Sequence, residues 1–166
     1  MSNTAWGTIS MKMAKTTDKG ATFNAAGLET IGTLKEDSIS LSTEDGKKYE
    51  LYGSGHQLID ELRGEPTIKV TATIVNIPEA TRKAFWQTEG SLDGSTKQLK
   101  VKSMVTVDKF GVQFGSDVTG SETFEAPYCS VNLKPIFAEA EGWSGEVEFT
   151  IMRGAADHLF AFGIVE

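Results

Sequence analysis

"GEPTIKVTATIVNIPEATRKAFW", Gly64 to Trp86, sets the fold class. Its first half alternates. Ile68, Val70, Ala72 and Ile74 point to one side of a strand, and Thr67, Lys69, Thr71 and Thr73 to the other. Pro78 then opens a short helix to about Thr88, with Glu79 in its first turn and Arg82 and Lys83 later, the polarity a helix dipole favours. The apolar row belongs in a core. The polar row is either a face wetted by solvent, as in any antiparallel sheet, or the lining of something.

Working outward, the same alternation recurs in short runs. "WGTISMKM" puts Ile9, Met11 and Met13 on one face, "KQLKVKSMVTV" does the same with Leu99, Val101, Ser103, Val105 and Val107, and "GEVEFTIM" with Val147, Phe149 and Ile151. "YCSVNLKPIF" is another strand, broken at Pro135, and "GVQFGSDVTGSETFEA" reads as strand, bend, strand. "DSISLS" and "KKYELY" flank an Asp45-Gly46 turn signal, so Ile39 and Leu41 are expected to face Tyr49 and Leu51 across a hairpin. "HQLIDELR" fits strand or helix, and its bracketing glycines favour strand. Ala14 to Glu29 has no period and is expected to be a long loop. The chain is therefore mainly β, a single domain: a β-sandwich or small barrel of about eight antiparallel strands with one flanking α-helix.

Composition removes several function classes. The net charge is −7 without a Lys/Arg block, which disfavours binding to nucleic-acid phosphates and a polybasic membrane anchor. One cysteine, Cys129, leaves no internal disulfide and no sign of an oxidising compartment. No signal peptide and no spanning helix are expected. His56 and His158 have no His or Cys within five positions, so a metal site is not expected. Cys129 reads as a small buried strand residue rather than a nucleophile. "GSGHQL" lacks the third glycine of a dinucleotide loop, and no catalytic elbow or phosphate loop occurs. Carboxylate pairs of the glycosidase kind depend on the fold and stay open. The expectation is no enzyme and no cofactor. Trp6, Trp86 and Trp143 are either core or anchors of a subunit interface.

From Ile31 to Trp86, roughly a third of the chain, the sequence resembles the major tail proteins, or tail tube proteins, of long-tailed bacteriophages. The resembling parts are a Ser-rich strand, an acidic turn, the "YELYGSGH" strand, the pair in "DELRGEPTIKVTATIVNIP", and the short helix. The resemblance implies a structural virion protein made in the host cytoplasm. Copies would join into rings, six to a ring, that stack into a hollow tube carrying DNA from capsid to host without specific binding. Further tail proteins, such as tape measure and tail terminator, would be partners. On that reading Thr67, Lys69, Thr71 and Thr73 line the lumen. Ala84, Phe85 and Trp86 pack the helix on the sheet. The 14–29 loop reaches the next ring through Phe23 and Leu28. The alternative is a non-enzymatic β-sandwich binding or adhesion module.

Overall fold

A computed structural model describes residues 9–105, 107–140 and 142–166 of the 166. Trp6 and Thr8 lie outside the described residues. The first strand is β1 (Ile9–Lys15), and a single 3-10 turn, Ala25–Gly27, precedes two short strands, β2 (Glu29–Thr30) and β3 (Thr33–Leu34). Next come β4 (Ser40–Glu44), β5 (Lys48–Tyr52), β6 (Leu58–Arg63) and β7 (Thr67–Val75). The helix α1 (Glu79–Phe85) leads into β8 (Gln87–Ser91) and β9 (Gln98–Ser103). The chain finishes with β10 (Phe110–Ser116), the long β11 (Glu122–Ala138), β12 (Gly142–Ile151) and β13 (Ala161–Ile164).

The principal sheet is antiparallel and runs β2-β1-β10-β11-β12-β7-β3, with β13 also on β11 and β4 also on β7. Its two ends are consecutive in the chain. Glu29 and Thr30 pair with β1, and Thr33 and Leu34 pair with β7, so the sheet closes on itself into a barrel. Gly32 makes this switch with φ +131, where a Cβ would meet Ile74 Cγ2 at 2.8 Å and Pro78 Cδ at 2.9 Å. Gly32→Ala is expected to cost about 1–3 kcal/mol, because it combines a left-sided backbone with a clash. Denaturant unfolding measures the loss.

The apolar rows fill the barrel. Val70, Ala72 and Ile74 of β7 meet Phe149, Val147 and Gly145 of β12, and Met11, Val112, Phe124 and Leu133 join them in the core. The helix is one edge of that core. Phe85, fully buried, sits edge-on to Phe110 at 5.3 Å and to Phe149 at 6.1 Å between ring centres. Thr81 Oγ1 donates to the Ile31 carbonyl at 2.7 Å, fastening the helix to the barrel-closing segment. Trp86 is buried and Ala84 half-buried against the same cluster.

Several readings of the sequence change. Ile39 and Leu41 do not face Tyr49 and Leu51, because β4 pairs with β7 and β5 pairs with β6. Glu44↔Thr67 ends one ladder and Lys48↔Arg63 starts the next, so the four strands form one long ribbon with a bend at Asp45–Lys47 and Gly64–Pro66. Pro66 has no N–H to continue the ladder there. Second, Ala14 and Lys15 belong to β1 and Glu29 to β2, so the aperiodic loop is shorter than 14–29. Third, β8 and β13 carry no signal strong enough to be read as strands: β8 is the polar run "QTEGS", and β13 is four residues long. The helix ends at Phe85 rather than about Thr88, because Gln87 and Thr88 pair in β8; β9 ends at Ser103 rather than running on to Val107; and β11 passes Pro135 unbroken, opposite Gly145.

Candidate assembly surfaces

Thr67, Lys69, Thr71 and Thr73 lie on the outer face of the barrel, half-buried by neighbouring side chains. Pairing sets their neighbours: Ser40, Ser42 and Glu44 on β4, and Glu146, Glu148 and Thr150 on β12. Beyond β12 the face continues with Ser130, Asn132 and Lys134 of β11. Lys69 Nζ reaches Glu44 Oε1 at 3.2 Å, and Lys134 Nζ lies 3.9 Å from Glu146 Oε1. The result is a broad polar wall in which each of these lysines has a carboxylate beside it.

The β5–β6 arm leaves the barrel as the outer half of the bent ribbon. Its turn is closed by Gly53 N–H donating to the Gln57 carbonyl at 2.8 Å, with Gly55 and His56 both at positive φ. The strand register sorts its side chains. Lys48, Glu50, Glu61 and Arg63 share one face and form a ladder: Lys48 Nζ contacts Glu50 and also Glu61 Oε2 at 3.0 Å, Arg63 Nε sits 2.5 Å from Glu61 Oε1, and the Tyr52 hydroxyl donates to Glu50. Lys48 and Tyr52 hold the Glu50 carboxyl below its ordinary value, and Arg63 and Lys48 do the same for Glu61. The opposite face carries Tyr49, Leu51, Asp60 and Leu62, joined by Ile59 at a bulge beside Gly53. Tyr49, Leu51, Ile59 and Leu62 are each more than half exposed.

Because the two carboxyls are lowered, the ladder's contribution is complete above the free value of 4.5 and fades as pH falls through the folded values. Lys48 is raised from 10.5 by Glu50 and Glu61, so its share persists through neutral pH and is lost only in strong base. Amide exchange protection at Glu50 and Glu61 is therefore expected to hold at neutral pH and to fall as the pH is taken below the free value of 4.5.

A second arm, β8–β9, follows the helix directly. Glu79 ties its turn to α1: one carboxyl oxygen accepts from Ser91 Oγ at 2.9 Å, and the Leu92 N–H lies 3.3–3.4 Å from both oxygens. Lys83 Nζ completes the cluster at 2.6 Å and is the main reason the Glu79 carboxyl titrates below its ordinary value. Val101, Met104, Val105 and Val107 are exposed along this arm and its exit. Nearby, Phe137 and Trp143 pack ring to ring at 5.1 Å, both more than half exposed.

The remaining sequence candidates fall as follows. Phe23 is half-buried against Gly111, where a Cβ would lie 3.0 Å from its ring, and Leu28 is half-buried at the end of the 3-10 turn. Their loop is organised from within: Asp18 accepts from Gly20 N and Thr22 N, both at 3.1 Å, and Lys19 O accepts from Ala155 N at 2.8 Å. Cys129 is buried, and burial pushes its thiol up to about 12, so it is not a thiolate near neutrality. His56 sits exposed in the β5–β6 turn and His158 exposed beside Asp157. Among the described residues, no group of three His, Cys, Asp or Glu could hold a metal ion. Neither arm's two-faced character was singled out in the sequence. For β5–β6 the signal was present, since "KYELY" and "LIDELR" interleave charged and large apolar residues with no third strand to cover them.

No protein-family model matches the chain, and no curated protein matches it in sequence. Among solved structures it is similar to a chain from the sheath–tube complex of an extracellular contractile injection system, PVC, in the extended state. The TM-score is 0.40 and the identity 10%, with 95% of this chain and 89% of that one covered.

Proposed function

We propose that this protein is a structural subunit that assembles with copies of itself into rings stacked as a hollow tube, the tube of a phage-type tail. The observation that carries the reading is the pair of arms outside the principal sheet, each with large apolar side chains left exposed among the described residues. Exposed apolar patches of this kind mark interaction surfaces, and a subunit whose surface patch fits a different patch on its copy builds rings or open filaments. The broad polar face of β7, β12 and β4 forms the channel wall, with Thr67, Lys69, Thr71 and Thr73 towards the lumen. Paired charges and small hydroxyls there present no run of free cations to grip passing DNA phosphates. The 16–28 loop, with Phe23 and Leu28, meets the next ring. Other tail proteins cap the tube's ends.

Sedimentation velocity across a concentration series tests self-assembly. Large species growing with concentration are expected, and a monomer throughout would refute the reading. The lumen assignment has its own check. In Thr71→Cys the new thiol is expected to react with a maleimide on a bulky polymer in the monomer and to be shielded in the tube. Equal labelling in both states would place β7 on the tube's exterior.

A further inference from the structure

We infer that the groove between α1 and the β8–β9 arm receives the tip of the β5–β6 arm from a second copy of this chain, with Asp60 facing Arg82. This rests on the self-assembly reading and specifies which surfaces meet. The groove holds about 300 Å³ and is walled by Ile77, Leu99, Val101, Met104, Pro135 and Trp143. It is apolar except at two points. Arg82 lines it and has no carboxylate partner among the described residues. Trp86 also lines it, 7% exposed, and its Nε1–H has no acceptor among the described residues. A buried donor left unpaired is costly, so the groove is built for an apolar guest that brings an oxygen acceptor and a negative charge.

The β5–β6 arm offers that guest. Its apolar face has one acidic group, Asp60, set opposite Leu51 and flanked by Ile59 and Leu62, while at the base of the arm Lys47 Nζ lies over the Tyr49 ring at 5.2 Å. Among the described residues the arm packs against no other element to any extent, which leaves its apolar face for a neighbour. The other exposed apolar strand, β13, is a poorer candidate. Its Phe162 already packs against Phe124 at 5.8 Å and Phe160 at 5.7 Å, and β13 is fixed to β11 by pairing. In the complex the Asp60 carboxylate accepts from the Arg82 guanidinium. Met104, unbranched and exposed, is the wall that yields to bring the indole N–H within reach.

The test uses full-length chains carrying single substitutions. Ile59→Cys protein is mixed with Met104→Cys protein under assembling conditions and oxidised. Native Cys129 stays buried and unreactive. The expected product is a disulfide between the two different variants, in excess over either variant's pairing with itself. Charge reversal supplies the second readout. Asp60→Arg alone and Arg82→Glu alone are each expected to raise the concentration needed for assembly about tenfold or more, and the two together to restore it. Restoration is what a merely structural role of either residue would not give. Normal assemblies without the mixed disulfide, or a double variant no better than the singles, would overturn the inference and leave self-assembly standing. A chain that never assembles would overturn both. A disulfide that forms only when both cysteines share one chain would show the arm folding back on its own groove, which also contradicts the inference.

Discussion

Phe85→Ala is expected to cost about 3–5 kcal/mol of folding stability. The ring is fully buried, and its two edge-to-face partners, Phe110 and Phe149, come from β10 and β12, the strands on either side of β11. Truncation therefore opens a cavity that rigid strands on both sides cannot close, and it frees the helix from the barrel. Thr81 holds that helix by one hydrogen bond to Ile31, a net contribution of only about 1 kcal/mol. Urea unfolding of the variant gives the number. A loss below about 1 kcal/mol would mean that α1 lies on the barrel without being part of its core.

The converse result is expected on the arm. Leu51→Lys with Leu62→Lys puts two charges on a face where both side chains are more than half exposed and touch nothing of the barrel. Stability should change by no more than about 0.5 kcal/mol per site, the usual range for surface substitutions. Assembly should fail altogether, because two added ammonium groups, the one at position 51 opposite Asp60, would have to be desolvated in every contact, and Asp60 would be drawn away from Arg82. Sedimentation velocity and thermal unfolding on the same sample separate the two outcomes. A large drop in melting temperature would show that the arm stabilises its own subunit. Unchanged assembly would show that it points into solvent in the tube.

The contrast between these two variants follows the line between what the sequence revealed and what it hid. Strand β7 was legible because burial of one face imposes strict alternation on Ile68 to Ile74, and Pro78 with Glu79 marked the helix start. The Asp45-Gly46 signal was misread. A local turn preference says that the chain bends there but not which strands pair, and the non-local ladders β4–β7 and β5–β6 decided that. The barrel's closure at Gly32 was hidden for the same reason, since two residues on either side of a bend are too few to show a period. The groove at Trp86 could not be read at all. Its walls come from positions between Ile77 and Trp143 that only the folded sheet brings together. The polar row of Thr67 to Thr73 was legible as a face; what that face meets depends on other copies.

Electron microscopy of the purified, concentrated chain tests the central claim most directly. Rings, or tubes of uniform diameter with a stain-filled channel, are expected, and the arm variant Leu51→Lys with Leu62→Lys should yield neither. Discrete single particles of the wild-type chain at every concentration, or sheets and fibres without a channel, would contradict it.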